Sequence, residues 1–377
     1  MIDAEPLITV IIPTFRRPKL LRRAILSVLN QTFSALQVCV YDDASNDNTQ
    51  KVVTELAETD SRIKYYCHEQ NMGVVANFNY GLKEVNTPFF SFLSDDDLLL
   101  PHFFEVAMQS LSANPDVMFY AGLTIQVEDN KIIGISKNGG RFGYLSPPES
   151  LLDILDHQLM WNSIVFRSKV VDCVGLLDID VGGPADIDFE FRVAAHHPVI
   201  ISNEPSAIYM LHTHNFYARS SDYRLSLSGF KLITYRMMSD ESLSLDTRIQ
   251  IKNRLNAWLA NILIALAERA SLEGEFDDVS AIAEILTRFC SKKAKALLLV
   301  HNVSAIAEIL TRFCSKKANA LLLIDRLKLK ESSEPAFLLV SWIERWLRFI
   351  FPPNIINKIK LKQLQRKYGE YLRYLDT

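Results

Sequence analysis

Three consecutive carboxylates, Asp95, Asp96 and Asp97, close an apolar run, FFSFL at residues 89–93. A short aromatic and aliphatic run of this kind reads as a strand buried on both faces. Adjacent acids in a semi-buried place repel one another, and a bound divalent cation is the economical counter-charge. Open α/β sheets take their ligands at the carboxyl ends of their strands. A second acidic pair, Asp42 and Asp43, follows another apolar run, VCVY at 38–41. Acids delivered by two strands to one edge suggest a site for a metal and a polyhydroxyl or nucleotide ligand.

The elements that must position these acids alternate through the first third of the chain. Strands are predicted over 8–12 (ended by Pro13), 37–41, 63–66, 87–93 and 117–120, with helices over 19–29, 49–58 and 74–85. Pro101 can begin a further helix, because the N–H it lacks has no helical partner there. Strand and helix in alternation imply an α/β fold with a doubly wound, mainly parallel sheet covered on both faces. Residues 134–186 carry mixed signals, with Gly139, Gly140, Gly143, Pro147 and Pro148 marking loops. This stretch reads as the acceptor side of a two-part site. Beyond about residue 217 the pattern is helical throughout, which predicts domains at 1–222 and 223–377.

The C-terminal part contains a duplication: VSAIAEILTRFCSKKAKALLLV at 279–300 recurs as VSAIAEILTRFCSKKANALLLI at 303–324. Stable repeat arrays need three or more units, so two near-identical copies read as a segmental duplication. Composition is that of a globular protein, 49% hydrophobic and 23% charged. The net charge of −3 gives no reason to expect nucleic-acid binding. Five cysteines without a C-x-x-C pair, an odd count with Cys39 inside a predicted strand, favour a reducing cytosol over a disulfide framework. The acidic start lacks the basic and apolar regions of a signal peptide, and no run is long enough to span a bilayer. The expected location is cytoplasmic, or peripheral on the cytoplasmic face of a membrane.

Taken in order, IIPTFR at 11–16, YDDASNDNT at 41–49, NMG at 71–73 with NYGL at 79–82, and LSDDD at 93–97 with Pro101 resemble the inverting family 2 glycosyltransferases of the GT-A fold. The resemblance covers about residues 7–217. It implies that Pro13, Thr14, Phe15 and Arg16 line the nucleotide base and ribose, with packing as the alternative for Phe15. It also implies that Asp43 hydrogen-bonds base or ribose, as suits an acceptor-only carboxylate; Asp42 could equally cap the following turn. Asn71, Asn79 and Asp95 fall among the implied donor-binding positions. The usual family pattern is D-x-D-D with Pro four residues on, so Asp96 and Asp97 match its last pair and Ser94 replaces the leading acid. Asp96 is the first choice for a ligand to Mg²⁺ or Mn²⁺. A solvated capping cluster is the alternative for these acids.

Further on, SIVFR at 163–167, GLLD at 175–178 and ADIDF at 185–189 resemble the family's second half, whose E-D pair supplies the general base. Ala185 stands in place of the Glu. Asp186 is the preferred base and Asp188 the second choice, and Arg192 could pair with Asp188 on a helix surface. The segment YMLHTHN at 209–215 resembles the family's R-x-H-x-x-N, with Met210 in place of Arg. This makes His212 a candidate for metal or diphosphate contact, with a structural histidine as the alternative. His196 and His197, before Pro198, are expected at the surface of a loop.

Residues 336–351 place Ser341, Glu344, Arg345 and Arg348 on a narrow polar stripe against a broad Trp-, Phe- and Leu-rich face, and a basic tail follows. That pattern suits an interfacial helix on an anionic membrane; a core helix or a homodimer helix is the alternative. The expected activity is transfer of a single sugar from a nucleotide diphosphate sugar to a hydroxyl of a glycan or lipid-linked acceptor, in bacterial surface-glycan assembly. The alternatives are a nucleotidyltransferase and a catalytically inactive nucleotide- or glycan-binding scaffold.

Overall fold

The computed structural model describes residues 5–129, 131–136, 140–211, 223–273, 281–282 and 284–285. His212, the duplicated segments and residues 336–351 lie outside them. The chain divides into two compact units. The first contains the described residues up to 211 together with Ser228–Arg254.

Its strands are β1 (Ile8–Thr14), β2 (Leu36–Asp42), β3 (Ile63–Cys67), β4 (Phe89–Phe92), β5 (Leu98–Leu99), β6 (Phe119–Glu128), β7 (Lys131–Ile135), β8 (Gly143–Leu145), β9 (Ile164–Arg167) and β10 (Val199–Leu211). They form one sheet in the order β3-β2-β1-β4-β9-β6-β10-β5, with β7 on β6 and β8 on β10. The β3-β2-β1-β4 half is parallel, as is the β6–β10 pair, whereas β9 runs antiparallel between β4 and β6. The helices are α1 (Pro18–Leu29), α2 (Thr49–Ala57), α3 (Val74–Lys83), α4 (Phe103–Ala113), α5 (Glu149–Asp156), α6 (Val170–Val174), α7 (Ala185–His196), α8 (Tyr223–Ser239) and α9 (Leu245–Glu273).

The period-2 geometry of β1 sorts its side chains between two layers. Ile8, Val10 and Ile12 join one core with Leu21, Ala24 and Ile25 of α1, Val53 of α2 and Phe103 of α4. Ile11 faces the other layer, where α3 comes so close at Gly81 that a Cβ there would lie 2.7 Å from Ile11 Cγ2 and 2.8 Å from Tyr41 Cε2. Deeper in that layer Trp161 stacks on Phe92 with centroids 4.2 Å apart, and Phe78, Phe166 and Phe189 pack around the pair.

Four local expectations are corrected. β1 runs through Pro13 to Thr14, because β4 pairs only with Ile8–Ile11 and no neighbour on that side requires the missing N–H. Pro101 precedes α4 by two residues, its carbonyl accepting from Thr32 N–H. The predicted strand 117–120 begins two residues later and extends to Glu128, since pairing with β10 continues to Leu211↔Glu128. His196 is the last residue of α7 and not a loop residue, with Nε2 2.8 Å from Asp240.

Of the second unit, the described residues are helical: 223–227 of α8, α9 from Leu255 onward, and 281–282 with 284–285. Leu255, Leu259 and Leu263, spaced by four, are buried there. Among the described residues no helix is long and apolar enough to cross a membrane.

Candidate functional site

The order β2-β1-β4 puts the carboxyl ends of three parallel neighbours on one edge, and chain direction reverses its progress across the sheet between β1 and β4. Such a switch point opens a crevice, because the connections on either side leave in opposite directions. Thr14, at the end of β1, donates from Oγ1 to Asp95 Oδ2 across this crevice at 2.7 Å. Arg17 donates from one terminal nitrogen to Asp95 Oδ1 at 3.2 Å and to Asp96 Oδ2 at 2.9 Å.

The three acids differ in surroundings. Asp97 is buried, accepting from Met210 N–H at 3.0 Å and from Asn162 Nδ2 at 3.0 Å. It ties β10 to the turn that precedes β9, and Asn162 is held in turn by Thr124 Oγ1 at 3.0 Å. Burial, and then the Asp96 charge, push the Asp97 carboxyl well above the usual range, against the two donors. Asp95 is pushed up to about 6, by burial first and by Asp96 second, while Thr14 and Arg17 oppose the rise. Asp96 is partly exposed, and Arg17 is its hydrogen-bond partner among the described residues.

These residues fit a hard divalent cation. Asp95 and Asp96 share one guanidinium, and the Asp96 charge adds to the effect of burial in raising Asp95 and Asp97. Arg17 bonds only Oδ2 of the partly exposed Asp96. Among the described residues no group of three or more His, Cys, Asp or Glu side chains is placed to hold a metal ion by itself. A ligand's phosphate oxygens and water would therefore complete the shell, the usual arrangement for Mg²⁺.

Beside the acids, the loops after β1 and β2 lock together. Arg16 adopts φ +59° and Ala44 φ +60°, conformations that L-residues rarely take. Arg16 N–H donates to Ser45 Oγ at 2.8 Å and its Nε to Ser45 O at 3.2 Å, which holds the turn in place. The Arg16 guanidinium lies 4.8 Å from the centre of the half-exposed Phe15 ring. Asp42 does cap its turn: Oδ1 accepts from Ser45 N–H and Oδ2 from Tyr65 Oη.

Asp43 spans the entry to α3, accepting from Met72 N–H at 2.7 Å and Gly73 N–H at 3.0 Å. Asn71 Nδ2 donates to the Asp43 carbonyl, and Gly73 at φ +88° turns the chain into the helix. Pro13, Thr14, Phe15, Arg16, Asp43, Asn71 and Asp95–Asp97 thus share one edge of the sheet. Asn79 does not join them. It is buried, and its amide clamps the backbone of Leu177 in both directions, Nδ2 to the carbonyl at 2.8 Å and Oδ1 from the N–H at 3.0 Å.

The two α7 carboxylates diverge sharply. Asp188 is fully buried and accepts from Arg192 Nε at 2.8 Å and from Arg236 of α8. Arg236 also bonds Asp178, and Arg192 bonds the carbonyls of Val174 and Leu176. This pair is interior, not on a helix surface as its spacing suggested. Asp186 stands in the first turn of α7, its Oδ1 accepting from Ile187 N–H at 2.8 Å. No side chain bonds it among the described residues. Burial pushes its pKa up to about 6, and that N–H opposes the rise. A carboxylate with this pKa is ionised at neutral pH and basic enough to take a proton.

Sequence reasoning missed Arg17, Asn162 and Glu190. Glu190 is buried one helical turn after Asp186, and burial followed by the Asp186 charge pushes its pKa well up. Its i+4 spacing from Asp186 was a usable signal. Asn162 had none, because it meets Asp97 across 65 residues of chain.

Comparison with known proteins adds to this geometry. Residues 9–170 match the family model described as glycosyl transferase family 2. A GalNAc(5)-diNAcBac-PP-undecaprenol beta-1,3-glucosyltransferase of Campylobacter jejuni is 43% identical over 105 residues, 28% of this chain and 34% of that protein. An uncharacterised glycosyltransferase of Rickettsia typhi is 26% identical over 267 residues, 69% of this chain and 80% of that one. The match spans only about a third of the Campylobacter protein's length, and likewise 32% of a Rickettsia felis glycosyltransferase. Among solved structures, S. aureus TarS in complex with UDP superposes with a TM-score of 0.56 at 16% identity, covering 77% of this chain and 82% of that one. A Pyrobaculum calidifontis mannosyltransferase in complex with GDP-Man and Mn²⁺ gives 0.50 at 17% identity, covering 80% and 81%. The fold is that of the GT-A glycosyltransferases.

Proposed function

We propose, from the match of residues 9–170 to the glycosyl transferase family 2 model, that this chain is an inverting, metal-dependent transferase moving one sugar from a nucleotide diphosphate sugar to a hydroxyl acceptor. The observation that carries the proposal is the contrast on α7. Asp188 is locked between two arginines, whereas among the described residues no side chain occupies the Asp186 carboxylate, whose pKa burial pushes up to about 6.

Asp186 is the general base, removing the proton of the acceptor hydroxyl as that oxygen attacks the anomeric carbon in line. Phe15, Arg16 and the Asp43–Asn71 loop receive the nucleoside, held in shape by the Ser45 and Asp43 hydrogen bonds. Asp96, backed by Asp97, would hold Mg²⁺ or Mn²⁺, whose charge offsets that of the departing diphosphate. Asp95 orients Thr14 and Arg17 beside it.

The Campylobacter relative is named for an undecaprenol diphosphate-linked acceptor. A lipid-linked hydroxyl in bacterial surface-glycan synthesis is accordingly the proposed acceptor class. The amphipathic pattern of residues 336–351 supports a peripheral attachment to the cytoplasmic face of an anionic membrane. A thermal-shift panel of nucleoside diphosphates with and without Mn²⁺ tests the donor half, because a ligand of the native state raises stability by mass action. A Mn²⁺-dependent rise with at least one diphosphate is expected; no response to any of them would refute the reading.

A further inference from the structure

We propose that Arg17 is the resident counter-ion of the acid cluster, displaced by the divalent cation and then taken up by the donor diphosphate, so that metal and nucleotide bind cooperatively. This rests on the donor site proposed above. Arg17 bridges Asp95 and Asp96 at 3.2 and 2.9 Å. Asp95 has little freedom to turn elsewhere, since its other oxygen is held by Thr14 at 2.7 Å.

A cation on Asp96 would meet the guanidinium already bonded to that carboxylate. Like charges at such separations repel strongly unless one moves or an anion joins them. Arg17 is able to move: its side chain is 38% exposed, and its backbone alone anchors the start of α1, through the carbonyl that accepts from Leu21 N–H. Its planar fork suits paired carboxylates and phosphate oxygens equally well. The diphosphate therefore offers the displaced guanidinium a second partner of the same geometry. Each ligand then favours the other, and by linkage the two effects are equal in size.

The test is Mn²⁺ binding, read from the free-ion electron paramagnetic resonance signal, with and without a nucleoside diphosphate, for wild type, Arg17→Gln, Arg17→Lys and Asp96→Asn. Arg17→Gln is expected to bind Mn²⁺ alone about tenfold more tightly than wild type, and to lose about tenfold of the nucleotide's enhancement, or about 1.4 kcal/mol of coupling. Arg17→Lys, which keeps the charge, should remain near wild type for Mn²⁺ alone. Unchanged or weaker Mn²⁺ binding by Arg17→Gln, with Asp96→Asn losing it, would overturn the role of Arg17 and leave the metal site standing. Asp96→Asn binding like wild type would overturn the metal site and this inference together.

Discussion

Replacing Asp186 by Asn should abolish transfer and at the same time make the protein more stable. The amide oxygen introduced by Asp186→Asn can still accept from Ile187 N–H, where the carboxylate does so now at 2.8 Å, so the first turn of α7 keeps its geometry. The loss is confined to basicity, and removal of a positioned base costs about 10²–10⁴-fold in rate. The gain follows from the raised pKa. Burial lifts the Asp186 carboxyl from 3.8 to about 6, so the folded protein holds that proton more tightly than the unfolded chain. The associated stability is complete below pH 3.8 and is lost as pH rises through 6, leaving a buried charge at neutral pH. Two pKa units correspond to about 3 kcal/mol, and residual solvent contact reduces this to about 1–2 kcal/mol. Thermal unfolding should show Asp186→Asn melting a few degrees above wild type at pH 7.5, with the gap about halved at pH 5 and closed only below pH 3.8. Wild-type transfer should fall on the acid side with a midpoint near 6. An inactive variant destabilised equally at both pH values would show that Asp186 supports the fold, and would refute its assignment as base.

Asp188→Asn should behave in the opposite way, leaving Arg192 and Arg236 facing a neutral partner in the interior and costing about 3–5 kcal/mol in urea denaturation. If that variant is stable but inactive, the base lies two residues from where it is proposed. Truncation after Glu334 should release the protein from anionic liposomes without changing nucleotide binding; equal recovery of both forms in the supernatant would leave residues 336–351 as a packing or dimer helix. Added salt should weaken the attachment of the full chain, since its basic part is screened within about 8 Å at physiological ionic strength.

The parallel half of the sheet was legible because β1, β2 and β4 are short, largely apolar runs closed by polar turns, and the helices between them have a clear buried stripe. The antiparallel half was not. β7 and β8 are short, partly exposed strands that acquire meaning only through pairing with β6 and β10. The acid triplet was readable as a candidate charge cluster, since no packing motive explains three adjacent carboxylates after FFSFL. Its internal division of labour was not. Asp97 is distinguished from Asp96 by Asn162 and by the Met210 N–H, 65 and 113 residues away, and neither leaves a local trace. Asn79 shows the same limit from the other side: an Asn in a motif looks like a ligand contact until its partner, the Leu177 backbone, is known.

The central claim is a donor site built on Asp96 at the carboxyl ends of β1 and β4. Titration calorimetry of uridine and guanosine diphosphates into the full chain, with Mn²⁺ and then with excess chelator, addresses it most directly. Wild type should bind at least one of them in a Mn²⁺-dependent manner, and Asp96→Asn should lose that binding while retaining the wild-type fold by circular dichroism. Binding that is indifferent to both Mn²⁺ and the substitution would contradict the account.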